Sequence, residues 1–360
     1  MGAPLSLEHR LRAAWQGRVS GCQLGKPIEL ISLEQSHDAL HDYLVAADAL
    51  PLRDYLPALE GTVASDHFKG SCKGHMVRSE PDDDINYTVL ALTMLEEHGI
   101  DLDTADVARA WMKRLPVAWT FTAERATFRT LINNATELFA FGHEPGFDLA
   151  ECSDNEWNDY IGAQIRADLY GWVCPGRHET AAELARRDAS LSHRGEGVYG
   201  AMFVAALGAA IPSADNVEHA VEIALDSIPS GSDCAYAVRM ALHVSGDEKA
   251  GASIRRHFDG LSPIHTVNNL ALVVWSLTTY PDDFSAAIGE VVAAGLDTDC
   301  NGATVGGLWG LQGKPIPASW TAPWQGRVAV TLSGMGELEL EDLVRRTMVV
   351  TERLTARSSG

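Results

Sequence analysis

The chain has 360 residues, of which 46% are hydrophobic and 21% charged, an ordinary composition for a globular protein with a sizeable core. Its 28 basic and 49 acidic residues give a formal net charge of −21, which argues against a nucleic-acid or anionic-membrane partner. No apolar run reaches the ~18 residues that a membrane-spanning helix needs. The six cysteines are scattered without a C-x-x-C pair, so we expect a reduced, cytoplasmic protein.

Helical periodicity dominates the sequence and predicts an all-α fold, a compact orthogonal bundle of ten or more helices. Near the start, Leu7, Leu11 and Ala14 form one apolar stripe, and Gly17 is predicted to end the first helix. In chain order, the predicted helices cover roughly residues 6–17, 81–98, 103–115, 122–140, 156–171, 179–190, 197–210, 215–226, 233–244, 247–257, 266–278, 284–294 and 301–311.

Alternating strand patterns are scarce, and the segment RVAVTL at 327–332 is the best candidate for a strand. Residues 36–66 and 313–326 are predicted to be long loops. Because the chemically interesting residues lie near both ends of the chain, we expect a single catalytic domain over residues 1–354. The remaining residues, 355–360, are predicted to form a frayed tail.

Three adjacent carboxylates, Asp82, Asp83 and Asp84, stand directly before the apolar run of the second predicted helix. Carboxylates in the first turn of a helix are favoured by the helix dipole, so helix capping is the simplest explanation of the motif alone. However, one carboxylate is enough for a cap, and three consecutive side chains point ~100° apart around a helix. Like charges at this spacing repel one another, which indicates that a cation balances them.

A second acidic motif lies in the stretch GLDTDCNGATVGGLWG, where Asp297 and Asp299 alternate across a turn that Gly295 opens. The helix predicted after it carries a glycine at every fourth position, at Gly302, Gly306 and Gly310. Each glycine costs the helix ~1 kcal/mol relative to alanine, which is tolerable where another helix or a ligand approaches the backbone. Five carboxylates in two motifs suit a hard divalent cation such as Mg²⁺ or Mn²⁺.

These motifs resemble those of the ADP-ribosylglycohydrolase superfamily, which includes the dinitrogenase-reductase-activating glycohydrolases and the ADP-ribosylhydrolases. The family's Thr-Asp-Asp-Thr motif resembles residues 82–85, and its Gly-Gly-Asp-Thr-Asp-Thr-Asn motif resembles residues 295–301. Its N-terminal Gly-Asp-Ala-Leu-Gly-x-Pro-x-Glu motif resembles residues 21–29. Its Gly-x-Gly-Ala-x-Met-Arg motif is matched only in part by residues 197–203. The motifs occur in the family's order along most of the chain.

The resemblance implies an all-α domain with two Mg²⁺ (or Mn²⁺) ions at the bottom of a cleft. Carried over position by position, it predicts metal ligands at Asp82, Asp83, Asp84, Asp297, Asp299 and Cys300. It predicts catalytic roles for Glu29, Asp83 and Asp299, and substrate contacts for Glu29, Asn301 and Gly200. The implied reaction is hydrolysis of a glycosidic bond by a metal-activated water, whose proton Glu29 or an aspartate accepts.

The sequence also departs from the family pattern at the expected centre. Asp82 stands where the family has a threonine ligand, and Cys300 stands where it has threonine or serine. The sulfur of Cys300 is a poor ligand for Mg²⁺, so this residue also fits the interpretation of a small packed side chain. Cys22 replaces an aspartate and Phe203 replaces an arginine, which indicates a divergent branch.

The expected substrate is therefore a small ribosyl or ADP-ribosyl compound, although a protein substrate is also compatible with the motifs. Long poly(ADP-ribose) is disfavoured by the acidic surface. The alternatives are a hydrolase of a nucleoside or other small furanoside, and a non-catalytic ligand-binding member of the same fold. An all-α prenyl-diphosphate enzyme is a further alternative, because Asp82, Asp83 and Asn86 imitate half of a D-D-x-x-D pattern.

Overall fold

The computed structural model describes residues 6–357, and it confirms the all-α fold class. The only strands among these residues are β1 (Arg327–Ala329) and β2 (Glu337–Glu339), which pair antiparallel. The α-helices are α1 (Leu7–Gly25), α2 (Glu29–Glu34), α3 (His37–Ala46), α4 (Val63–His67), α5 (Asp83–His98), α6 (Thr104–Arg114), α7 (Thr122–Asn134), α8 (Asp168–Trp172), α9 (His178–Ala189), α10 (Gly195–Ala210), α11 (Val217–Leu225), α12 (Asp233–His243), α13 (Ala250–His257), α14 (Thr266–Thr279), α15 (Phe284–Ala293), α16 (Thr298–Gly310), α17 (Ala318–Thr321) and α18 (Leu340–Arg357). Short 3₁₀ segments cover Lys26–Ile28, Lys69–Ser71, Gly99–Asp101, Val117–Trp119, Phe139–Phe141, Leu149–Ser153 and Ile161–Arg166.

The centre of the fold is the contact between the antiparallel helices α1 and α16. A Cβ added at Gly17 would lie 2.0 Å from the carbonyl oxygen of Gly306. A Cβ added at Gly21 would lie 1.9 Å from the carbonyl oxygen of Gly302, so neither pair of positions accepts a side chain. The prediction that Gly17 ends the first helix is therefore wrong. The glycine serves close helix packing, and the helix continues to Gly25.

Two predicted loops contain helices. Residues 36–66 include α3, which Ser36 caps by accepting a hydrogen bond from the backbone N–H of Ala39, and also the first residues of α4. Leu40 and Leu44 are buried on the inner face of α3, so its burial stabilises a helix that we had expected to be a loop. Residues 313–326 contain the single turn α17. The predicted strand at 327–332 is confirmed in part, since pairing ends at Ala329.

The helix predicted at 156–171 is wrong over most of its length. Its centre is the 3₁₀ segment Ile161–Arg166, and only α8 is α-helical. Arg166 is buried there and bonds to Glu124 and Asp188, while a Cβ at Gly162 would lie 2.1 Å from Glu124 Oε1. These buried contacts of Arg166 with residues distant in sequence favour the 3₁₀ segment over the α-helix that the local pattern predicts.

The long helix α18 was not predicted, although its apolar residues follow helical spacing. Its buried face consists of Leu340, Leu343, Val344, Thr347, Val350, Thr351 and Leu354. Thr347 accepts a hydrogen bond from the indole N–H of Trp15, which ties α18 to α1. The helix runs to residue 357, so the first three residues of the predicted tail are helical, and residues 358–360 lie outside the described residues. No helix among the described residues is both long and apolar enough to cross a bilayer.

Candidate metal centre

The three aspartates of the first motif open helix α5 at one edge of the α1–α16 contact. Asp82 is the N-cap, and its Oδ1 accepts a hydrogen bond of 3.0 Å from the backbone N–H of Asp84. Asp82 and Asp84 are buried, whereas Asp83 keeps partial exposure. The capping explanation thus holds for Asp82 alone, and the other two carboxylates need a different one.

The second motif reaches the same place through a tight reversal of the chain. Gly295 and Leu296 have φ angles of 85° and 62°, which turn the backbone between α15 and α16. Asn269 Oδ1 on α14 accepts hydrogen bonds from the backbone N–H of Asp297 at 3.2 Å and from the side-chain amide of Asn301 at 2.7 Å. Asn301 is fully buried and its side-chain amide helps to hold the turn that carries the aspartates, while its predicted contact with substrate stays a prediction.

The predicted acidic residues converge on one centre. A carboxylate oxygen from each of Asp82, Asp83, Asp84 and Asp299 lies within 4.8 Å of the others, and a second group brings Glu29 and Asp297 together with Asp299 at the same spacing. A third group of this kind joins Asp84 and Asp299 to the sulfur of Cys300. Asp299 belongs to all three groups, so it is the residue that joins the two motifs. Glu29 reaches the centre from the first residue of α2.

Several buried carboxylate oxygens at this centre lack a hydrogen-bond partner among the described residues. They are Asp84 Oδ2, Asp297 Oδ1 and Asp299 Oδ1, on side chains that are between 0% and 4% exposed. Burying a charged oxygen without a partner is costly, and native proteins pair such groups or use them to bind metal. Oxygen donors at this spacing fit a hard divalent cation, so the residues present are suited to hold Mg²⁺ or Mn²⁺.

The electrostatics of the centre agree with this fit. Burial, together with the neighbouring carboxylates, raises the pKa of Asp83, Asp84 and Asp297 well above the usual range. Burial and the nearby Asp82 raise the pKa of Asp299 to about 6. A bound cation would relieve this repulsion by stabilising the ionised carboxylates. Burial also raises the pKa of the Cys300 thiol well above its ordinary value, which keeps the sulfur protonated and a weak ligand.

Two basic residues balance part of this charge, Arg18 of α1 and Lys26 at its C-cap, and neither was predicted from the sequence. Lys26 Nζ lies 2.5 Å from Asp82 Oδ2, and the side chains are 11% and 3% exposed. Arg18 is fully buried between Asp84 Oδ1, at 3.2 Å, and Asp168 Oδ2, at 2.7 Å. Residues 18 and 26 are two steps of four residues apart on one helix and therefore share a face. That spacing, next to an excess of carboxylates, was the signal available in the sequence.

No carboxylate is among the atoms nearest to a Cβ added at Gly200, another predicted site residue. A side chain at this position of α10 would first meet Thr266 Cγ2 at 2.3 Å and Gln164 Oε1 at 3.0 Å. Gln164 is fully buried, and its amide nitrogen and oxygen have no hydrogen-bond partner among the described residues. The glycine therefore makes room for packing against α14 and the 3₁₀ segment Ile161–Arg166. Its predicted contact with substrate stays a prediction.

Comparison with known proteins assigns the family. The family model for ADP-ribosylglycohydrolase matches residues 3–356, and the chain therefore belongs to the ADP-ribosylglycohydrolase family. A solved structure described as "ADP-ribosylglycohydrolase-related protein complex" is similar to it at a TM-score of 0.59 and 19% identity, over 97% of this chain and 98% of that one. At this identity the likeness shows the fold alone. A search of curated proteins found no match.

Family membership supports a glycohydrolase-type activity and an ADP-ribosyl-type substrate, and the family is generally metal-dependent. It leaves no support for the prenyl-diphosphate alternative. The geometry agrees, because Asn86, the third residue of that imitated pattern, exchanges hydrogen bonds with Thr331. Its amide nitrogen donates to Thr331 Oγ1, and its oxygen accepts from the Thr331 backbone N–H, both at 2.8 Å. Asn86 is thus occupied in holding the chain after β1.

Proposed function

We propose that this protein is a Mg²⁺- or Mn²⁺-dependent hydrolase that cleaves the glycosidic bond of an ADP-ribosyl or related small ribosyl compound. The observation that carries the proposal is the convergence of six carboxylates on one centre, where three buried oxygens have no hydrogen-bond partner among residues 6–357. Those oxygens belong to Asp84, Asp297 and Asp299, which we assign as ligands of two divalent cations. Cys300 is assigned as a packed, protonated thiol beside them.

Two carboxylates of the centre, Glu29 and Asp83, keep partial exposure and are therefore the ones that substrate and its attacking water can contact. Burial and the charges of Asp299 and Asp297 raise the pKa of Glu29 well above its usual value. A carboxylate with a raised pKa is suited to take the proton of a water that attacks the anomeric carbon. We assign this role to Glu29, and we assign Asp83 to orienting the sugar and its water beside the centre.

Divalent cations held by the buried aspartates would polarise the anomeric bond and lower the pKa of the attacking water. The chain's own contribution is to keep the ligands fixed. Asp297 is held by Asn269 through its backbone N–H, and Asp299 lies in the first turn of α16, which packs against α1 without room for side chains. This rigidity preorganises the centre for one geometry of substrate.

The test is hydrolysis of a panel of substrates in Mg²⁺ or in EDTA: ADP-ribosyl-arginine, ADP-ribosyl-serine, ADP-ribose 1″-phosphate and a set of nucleosides. We expect turnover of at least one ADP-ribosyl compound that requires metal. D299N should lower the rate by about 10³-fold or more while the protein stays folded. E29Q should lower kcat by about 10²-fold and keep Mn²⁺ binding. The exposed Asp282, which bonds to Lys314, supplies the control D282N.

Retention of full activity by D299N would overturn the assignment of the centre. Hydrolysis of nucleosides alone would favour the small-furanoside alternative, for which the observation is the replacement of two family motif residues, by Cys22 and Phe203. Metal and ADP-ribose binding without turnover of any compound would identify a ligand-binding member of the fold.

A further inference from the structure

The distinctive feature of this centre is the contact between Lys26 and Asp82. Lys26 is the C-cap of α1, and its backbone N–H bonds to the carbonyl oxygen of Cys22. The end of α1 thus delivers the lysine side chain to the start of α5, where the ammonium lies against Asp82 and 5.6 Å from the ring centroid of Phe68. The pair is nearly excluded from solvent, so its charges interact far more strongly than those of a surface pair.

Both oxygens of Asp82 are committed to partners within the protein. Oδ1 accepts the backbone N–H of Asp84, and Oδ2 accepts the ammonium of Lys26. Asp84, Asp297 and Asp299, by contrast, each keep one buried oxygen without a partner among the described residues. Asp82 therefore differs from these three carboxylates, because each of its oxygens already accepts a hydrogen bond and one of them faces an ammonium.

The ammonium also acts on the space beside it. A divalent cation at Asp82 Oδ2 would approach a fixed positive charge 2.5 Å from that oxygen, in a region where water does not screen the repulsion. Lys26 therefore both neutralises Asp82 and disfavours a metal ion at this position. The group formed by Glu29, Asp297 and Asp299 does not include Asp82, so it does not depend on that carboxylate.

We propose that Lys26 is a fixed cation of the metal centre, which holds Asp82 out of the ligand set and confines the divalent cations to positions formed by Asp84, Asp297 and Asp299. The inference rests on the metal centre of the proposed function. It differs from the family resemblance at one predicted ligand, Asp82. Lys26 is a positioning residue in this scheme, because it acts through Asp82 and through its charge.

The test is Mn²⁺ binding to the full-length, EDTA-stripped protein, measured by calorimetry and by the electron paramagnetic resonance of free Mn²⁺. K26M frees Asp82 and removes the repelling charge, so it should bind Mn²⁺ about tenfold more tightly or take up an additional ion. The double variant K26M/D82N removes the pair as a unit and should stay within about threefold of the wild type. K26R keeps the charge and should match the wild type, whereas D299N should lose at least 100-fold.

K26M is expected to bind Mn²⁺ more tightly, whereas a variant with a damaged fold would bind it more weakly. The direction of the change therefore separates an electrostatic role of Lys26 from a merely structural one. Melting curves in EDTA check folding, and K26R and K26M/D82N decide the question if K26M does not fold. Loss of Mn²⁺ by K26M/D82N to the extent seen in D299N would show that Asp82 is a ligand and overturn the inference. Unchanged binding in K26M would overturn it as well.

The two proposals fail separately. Suppose that the wild type and the variants bind Mn²⁺ as expected, but that the wild type hydrolyses no compound of the panel. This result supports the role of Lys26 and overturns the proposed function. If the wild type hydrolyses the panel while K26M/D82N loses Mn²⁺ to the extent seen in D299N, the function is supported and the role of Lys26 is overturned. A wild type that binds no divalent cation overturns the metal centre and, with it, this inference.

Discussion

The fold buries two clusters of carboxylates that differ in how their charge is balanced. Around Arg166, the guanidinium bonds to Glu124 Oε1 at 2.9 Å and to Asp188 Oδ1 at 2.8 Å. The hydroxyl of Tyr170 donates to the other oxygen of Asp188 at 2.6 Å. In the acidic centre, oxygens of three aspartates are equally buried and have no partner among the described residues.

The comparison separates a structural ion cluster from a candidate functional one. Both clusters are desolvated, so burial alone does not distinguish them. In the Arg166 cluster, Arg166 and Tyr170 donate hydrogen bonds to the buried carboxylates, and this network rigidly supports the surrounding helices. In the acidic centre, the carboxylates repel one another, and a bound cation would relieve this repulsion, which is the pattern expected where stability is given up for binding.

The largest expected effect on stability follows from removing Arg166, the positive charge that balances Glu124 and Asp188. R166M leaves Glu124 and Asp188 buried without their counter-ion, and we expect the free energy of unfolding to fall by about 3–5 kcal/mol. Urea denaturation measures the loss. The matched control is R186M, because Arg186 is 46% exposed and bonds to Glu183 on the surface; its loss should stay below about 0.5 kcal/mol. Similar losses in both variants would contradict the distinction between the clusters.

The second prediction concerns the unbalanced cluster. At a free Mg²⁺ concentration about 100 times its dissociation constant, the wild type should gain about 2.7 kcal/mol of stability over the EDTA-treated protein. D299N should lose that gain. In EDTA, D299N should be at least as stable as the wild type, because it removes one of the crowded carboxylates. Thermal melts of both proteins and of D282N, with and without Mg²⁺, test this, and an undiminished Mg²⁺ gain in D299N would rule it out.

Much of the fold was predictable because the signals for it are local. Helices α5 and α6 were predicted over residues 81–98 and 103–115, close to their observed bounds of Asp83–His98 and Thr104–Arg114. The acidic motifs were recognised from residue type and spacing alone. Helix α18 was missed although its spacing was visible, so that omission was an error of interpretation and not a limit of the sequence.

The features that could not be predicted depend on partners distant in the chain. Gly17 was predicted to end a helix because the sequence does not show that Gly306 packs against it. The sequence around Lys26 does not show that this residue pairs with Asp82, because the two residues are 56 positions apart in the chain. Charge excess in the 82–84 run indicated that a cation was needed. It could not show that part of this positive charge comes from the protein's own Lys26.

The third prediction tests the scaffold that holds the two clusters in place. A methyl group at position 306 would lie 2.1 Å from the carbonyl oxygen of Gly17, so G306A must push α1 and α16 apart. We expect a loss of about 1–3 kcal/mol despite the better helix propensity of alanine. Gly231 has nothing within 4 Å of an added Cβ, which makes G231A the control. Equal thermal stability of the two variants would show that the helices separate at little cost.

The smallest expected effect is the pH dependence of metal binding. Because burial and Asp82 raise the pKa of Asp299 to about 6, protons compete with the cation for this carboxylate below that pH. Mn²⁺ affinity should therefore fall as the pH is lowered, by about tenfold between pH 7 and pH 5 from this group alone. Calorimetric titrations across this range measure it, with D282N expected to follow the wild type. A flat profile between pH 7 and pH 5 would mean that Asp299 is ionised throughout. The carboxylates of the acidic centre would then be balanced by the protein itself, as they are around Arg166, and the difference between the two clusters would disappear.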